Sequence, residues 1–179
     1  MRLGEVLDQL SAFPLHENLG YLDAYARQVT LLGPAGAGKT AALRVLADRY
    51  PDTVMVYPVH PNPNVRAPAE ELLGGHDRIV LTTPVDYFDL VHALRHAALV
   101  VTDSGGIQEE APSFGTPTLV LREVTERPEG VDAGVTVLVG TDRARILAGA
   151  TAVLDNATNT ARFIPPATSS SLAFQRRAR

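Results

Sequence analysis

The sequence predicts a doubly wound α/β domain on a mostly parallel sheet, and three observations carry that expectation. From about residue 28 onward, strand-like and helix-like segments alternate. The strand-like segments are short, nearly continuous apolar runs, as in strands covered on both faces, rather than the alternating pattern of a half-exposed sheet. Helix-like segments separate them, as the crossovers of a parallel sheet require.

Taken in order, QVTLL at 28–32 reads as the first strand. TAALRVLADR at 40–49 follows as a helix, with Leu43, Leu46 and Ala47 at helical spacing. VMVY at 54–57 is rich in β-formers, and Pro58 is expected to stop it. Residues 67–73 form a short helix that Gly74 and Gly75 end. RIVL at 78–81 is a strand, and 87–97 is a helix with Leu90, Val91 and Leu94 on one face. ALVV at 98–101 is a strand that runs into a turn at Gly105 and Gly106, and 107–113 opens another helix. TLVL at 118–121 and VTVLV at 135–139 are two more strands, and 143–154 is the last clear helix. Sheets of this kind bind ligands in the crevice beyond the carboxyl ends of their strands, so functional residues are expected in the loops after those ends.

Outside this domain, 1–27 reads as an N-terminal extension with one amphipathic stretch, and 157–179 as a polar, disordered tail with a Pro-Pro pair and a serine run. The Rossmann-type domain itself spans 28–156. A net charge of −4 argues against a nucleic-acid protein, which needs a basic face. With no cysteine, disulfides and cysteine-ligated zinc are excluded. No apolar run approaches the roughly 18 residues of a membrane span, and the N-terminus has no secretory pattern. The expected compartment is therefore the cytoplasm, with neither membrane nor nucleic acid as partner.

Three segments carry chemistry. TDSGGIQEEAPSFGTP at 102–117 follows a strand with a glycine turn and a helix N-terminus. Free N–H groups there, the Ser104 hydroxyl and the room left by Gly105 and Gly106 suit a phosphate or diphosphate. Glu109 or Glu110, one turn on, could take vicinal hydroxyls of a ribose. The same residues also fit a plain capped helix start with solvated glutamates. LREVTERPEGVDAG at 121–134 places Arg122 and Arg127 in another carboxyl-end loop. They are either forks for a phosphate or surface partners of Glu123, Glu126 or Glu129. YPVHPNPNVR at 57–66 reads as a rigid, non-helical loop, from which His60 projects either as a site residue or as a packing residue.

Together TDSGGIQEEAP, TERPE and PVHPNPNVR, with ALRVLADRYPD, TPVDYFDLVHALRHA and GVTVLVGTD between them, resemble the carboxyl-terminal domain of the non-hydrolysing UDP-N-acetylglucosamine 2-epimerases. The resemblance covers roughly residues 43–156. It implies one Rossmann-like half of a glycosyltransferase-B-type fold, two halves of which close over UDP-GlcNAc. The implied reaction interconverts UDP-GlcNAc and UDP-ManNAc by elimination and re-addition of UDP, with neither cofactor nor metal. Carried over by motif, Ser104, Gly105 and Gly106 would hold the diphosphate. Glu110 would bind the ribose hydroxyls, and Arg127 would approach the UDP. Tyr87 and Leu90 would flank the uracil, and His60 would face the interdomain cleft.

Two departures stand beside the resemblance. The family's amino-terminal domain has no counterpart, so no catalytic residue is assigned. The expectation is a UDP-binding half that is inactive alone, paired as a homodimer or with a partner chain that supplies the rest. The family's HRREN-type segment is replaced by VTLLGPAGAGKTAALRV, in which Gly33, Gly38, Lys39 and Thr40 satisfy the G-x-x-x-x-G-K-[ST] phosphate-loop pattern between a strand and a helix. That pattern supports an alternative, a P-loop ATPase or kinase, although a glycine-rich turn fits it too. A third possibility is a non-catalytic UDP-sugar-binding module.

Overall fold

The computed structural model describes residues 27–32 and 37–156, with side chains from Thr40 onward. Six strands form a single, wholly parallel sheet. They are β1 (Arg27–Leu32), β2 (Thr53–Pro58), β3 (Ile79–Thr82), β4 (Ala97–Thr102), β5 (Thr118–Val120) and β6 (Thr136–Leu138). The spatial order is β3-β2-β1-β4-β5-β6. The connections are α1 (Ala37–Arg49), α2 (Pro63–Leu73), α3 (Tyr87–His96), α4 (Ile107–Ser113) and α5 (Glu129–Asp132), and α6 (Arg143–Asn156) closes the domain. The doubly wound class expected from the sequence is the class observed.

Alternation along the strands divides the core in two. Leu99 and Val101 of β4, with Met55 and Tyr57 of β2 and Leu119 of β5, face α1, α2 and α6 through Leu43, Leu46, Leu73, Ile146 and Leu154. Val100 faces the other way, onto Leu94 of α3 and Ile107 and Ala111 of α4. Central strands buried on both faces need apolar side chains at every position, which explains the unbroken runs in the sequence.

The order reverses between β1 and β4, whose register brings Leu32 opposite Thr102. The carboxyl ends of β1 and β4 therefore lie side by side, at the topological switch point where doubly wound sheets bind ligands.

Two local expectations are corrected. The proline-rich segment 57–66 is not wholly a loop, because α2 begins at Pro63. The Asn62 side chain accepts the Asn64 N–H at 2.9 Å and caps the helix. Pro63 takes the first helical position, where a missing N–H costs nothing and φ is already suitable. Pro58 does not stop β2 but ends it from within, pairing with Thr82. A proline at a strand end loses only a donor that the ladder does not need there. α5 was not foreseen. It is four residues long, follows Pro128 and has no buried residue, so no apolar periodicity announces it.

Candidate functional site

The turn after β4 is pinned from both ends of its own segment. Thr102 is fully buried, and its Oγ1 accepts the Ser104 N–H at 3.0 Å. The Asp103 carbonyl accepts Arg122 Nε at 2.8 Å, which ties the turn to the loop after β5. Arg122 is thereby a loop tie, held by backbone rather than by a glutamate.

Neither glycine of the turn is there for its backbone conformation. Gly105 and Gly106 do not lie in the left-handed region, and Gly106 is helical at φ −65° and ψ −44°. A Cβ added at Gly106 would meet nothing, and one at Gly105 would only touch the Arg127 guanidinium at 3.5 Å. The glycine pair therefore leaves open room at the carboxyl end of the sheet rather than enabling a strained turn.

The same measurement places Arg127. Its guanidinium lies over Gly105 and is half-buried, and its Nε donates to Glu109 Oε1. The glutamates Glu123, Glu126 and Glu129 of its own loop do not hold it; Glu123 pairs with Arg145 at 2.9 Å instead. Two groups that sequence reasoning did not single out hold the Arg127 loop. Thr125 donates its hydroxyl to Gln108 Oε1 at 2.7 Å and accepts the Arg127 N–H at 3.1 Å. Gln108 is 5% exposed, although in sequence it looks like one more polar residue of a helix start.

The two adjacent glutamates of α4 behave differently. Glu109 is exposed and paired with Arg127. Glu110 is half-buried, and its Oε2 is shielded from solvent without a hydrogen-bond partner among the described residues. A shielded carboxylate oxygen with no donor is costly unless a ligand supplies one.

Beneath the turn, the fully buried Tyr57 of β2 has its phenol pushed up to about 12, first by burial and then by the Asp103 carboxylate. His60, just beyond β2, is exposed, and its Nδ1 accepts the Asn62 N–H at 3.1 Å. That bond leaves Nε2 to carry the proton of the neutral ring. Tyr87 is exposed at the start of α3, with Phe88 edge-on at 6.5 Å, while Leu90 packs against the α3–α4 core. Of the phosphate-loop pattern, Gly33 lies outside the described residues. Gly38, Lys39 and Thr40 form the first turn of α1, and Thr40 is buried. Among the described residues, no three His, Cys, Asp or Glu side chains gather to hold a metal ion. Nor is any described helix long and apolar enough to cross a membrane.

Known proteins resemble this chain over the same region. The family described as UDP-N-acetylglucosamine 2-epimerase matches residues 27–169. A UDP-N-acetylglucosamine 2-epimerase of Yersinia pestis is 50% identical over 118 residues, which is 66% of this chain and 31% of that protein. Among solved structures, the Staphylococcus aureus MnaA–UDP complex superposes with a TM-score of 0.74 at 38% identity, over 82% of this chain and 41% of its own. The Neisseria meningitidis UDP-GlcNAc 2-epimerase bound to UDP-GlcNAc gives 0.74 at 30% identity, over 97% and 50%. The chain thus spans half or less of each relative.

Proposed function

The chain belongs to the UDP-N-acetylglucosamine 2-epimerase family, and from that premise we propose that it is the UDP-gripping half of an enzyme that interconverts UDP-GlcNAc and UDP-ManNAc. The observations that carry the reading are the shielded Glu110 Oε2, one helical turn beyond Gly106 and without a partner among the described residues, and the Arg127 guanidinium laid over Gly105. A carboxylate that lacks donors suits ribose hydroxyls, and an arginine over open room suits a diphosphate. Ser104, Gly105 and Gly106 line the diphosphate side, Glu110 takes the ribose and Arg127 neutralises the phosphates. Tyr87 and Leu90 flank the base, and His60 faces the cleft between halves.

The chemistry asks this half to hold UDP while it is detached from the sugar, so that it can re-add. Many fixed contacts serve that better than one strong base. The groups that move the C2 proton then belong to a complementary half. The working compartment is the cytoplasm, and neither cofactor nor metal takes part.

Thermal unfolding of the 179-residue chain with UDP, UDP-GlcNAc, or ATP with magnesium tests this. A ligand that binds only the folded state stabilises it by RT ln(1 + [L]/Kd), about 2.7 kcal/mol at a hundredfold excess over Kd. Both uridine ligands should stabilise the protein, and Arg127→Ala or Glu110→Ala should reduce the effect. The competing reading, a triphosphate at Gly33, Gly38, Lys39 and Thr40, draws on the place of Gly38, Lys39 and Thr40 in the first turn of α1, the helix that follows β1. Stabilisation by ATP alone, abolished by Lys39→Ala, would replace the uridine reading with it.

A further inference from the structure

Resting on the reading that UDP sits over Gly105 and Gly106, we infer that Gln108 and Thr125 are positioning residues, a buried latch that aims the Arg127 guanidinium at the diphosphate. The loop between β5 and α5 is tied at its start by Arg122 to the Asp103 carbonyl and by Glu123 to Arg145, and its backbone beyond that has little to hold it. Among the described residues, no backbone-to-backbone hydrogen bond involves Glu123 through Arg127. A loop of that kind samples many conformations, and an arginine carried on it would bind a phosphate only after the loop had been ordered.

The latch supplies that order from α4. Gln108 is almost wholly buried, so its amide oxygen is a fixed acceptor inside the domain. The Thr125 hydroxyl donates to that oxygen at 2.7 Å and accepts the Arg127 backbone N–H at 3.1 Å. One hydroxyl thus passes the position of α4 to the backbone of Arg127, two residues further along. A hydroxyl is needed for this, because the site must donate on one side and accept on the other. The result is a guanidinium stationed over Gly105, next to the diphosphate turn of that same α4. Neither Gln108 nor Thr125 is assigned a contact with the ligand; they act through Arg127.

Thr125→Val keeps the shape of the side chain and removes both bonds, and Thr125→Ser keeps both. UDP affinity measured by calorimetry should fall about tenfold in Thr125→Val, the scale of one or two lost hydrogen bonds, and return to the native value in Thr125→Ser. Gln108→Leu should match Thr125→Val. In an Arg127→Ala background, Thr125→Val should have no further effect, because there is then no guanidinium to aim. Hydrogen exchange at the Arg127 amide should quicken in Thr125→Val without any ligand.

The outcomes separate. If UDP binds the native chain and Arg127→Ala weakens it while Thr125→Val does not, the latch is wrong and the site stands. If Thr125→Val weakens UDP equally with and without Arg127, the threonine acts on its own and the positioning role fails. Should the native chain not bind UDP at all, the site reading fails and takes the aiming role with it, even if the Arg127 amide exchange still responds to Thr125→Val.

Discussion

At the residue scale, burial decides which polar groups carry information. Glu109 and Glu110 are neighbours of one type, and the sequence says only that one of them can face the crevice. The fold separates them: Glu109 meets Arg127, and the Oε2 of Glu110 is shielded with no donor. Nothing local in EE distinguishes the two, because helix phase and the position of a loop some eighteen residues on settle it. Tyr57 offers a sharper case with a sign that can be worked out. Its phenol is raised from 10.0 to about 12, by burial first and the Asp103 carboxylate second. Raising the folded value favours the protonated form in the fold. The stabilisation is complete below pH 10 and disappears as pH climbs from 10 to about 12, while the unfolded chain ionises and the folded one resists. Two units correspond to about 2.7 kcal/mol. Denaturant unfolding at pH 9 and pH 11.5 should therefore show a larger alkaline loss in the native protein than in Tyr57→Phe, which keeps the ring and has nothing to ionise. Equal losses in the two proteins would show that this phenol is not held neutral by its surroundings.

Elements were legible wherever hydrophobic period alone defines them. All six strands and five of the helices fall where the apolar runs put them, because strands between two helical layers have no polar positions to blur the pattern. The errors fall on capping chemistry and short turns. The start of α2 was hidden by prolines that read as breakers, when Pro63 in fact follows a capping Asn62. α5 was hidden by its length. The helix that matters most to the site, α4, falls where the sequence puts it. The room expected at its preceding glycines is open at Gly106, which has ordinary helical angles and nothing where a side chain would stand. This gives the element a clean test. Gly106→Ala adds a methyl group at a compatible helical position, and such a change stabilises a fold by about 0.4–1 kcal/mol through the unfolded chain. Thermal unfolding without ligand should show an unchanged or slightly higher midpoint, and UDP affinity should drop at least tenfold as the methyl enters the diphosphate's room. An alanine variant that binds UDP like the native chain would mean that the ligand does not approach this turn closely.

For the whole molecule, the parallel sheet divides labour between its two edges. The carboxyl edge carries the turn after β4 and the Arg127 loop, beside the end of β1, where the strand order reverses between β1 and β4. That much follows from the class of fold, which is why the sequence alone names these loops. Among the described residues, the amino edge carries no comparable cluster and serves stability. There His76 sits between Asp48, at 3.1 Å from its Nε2, and the Arg78 N–H, which its Nδ1 accepts at 3.2 Å. Arg78 in turn grips the Ala47 carbonyl through Nε and Nη2. The end of α1 is thereby fastened to the start of β3. The hydrogen bond from His76, assisted by the charges of His76, Arg44 and Arg78, holds the Asp48 carboxyl below its usual 3.8. A carboxyl lowered by folding contributes its stability above the unfolded value and loses it as pH falls through the folded one. Asp48→Asn should therefore flatten the stability profile below pH 3.8 and lower stability modestly at neutral pH, since the Asp48 carboxylate is open to solvent and screened. If the two edges are independent, the same variant must leave UDP affinity at pH 7 unchanged, because distant sites without shared partners add. A variant that lost UDP affinity along with acid stability would reveal coupling through α1, and the segment between β1 and α1 would then be the element to suspect.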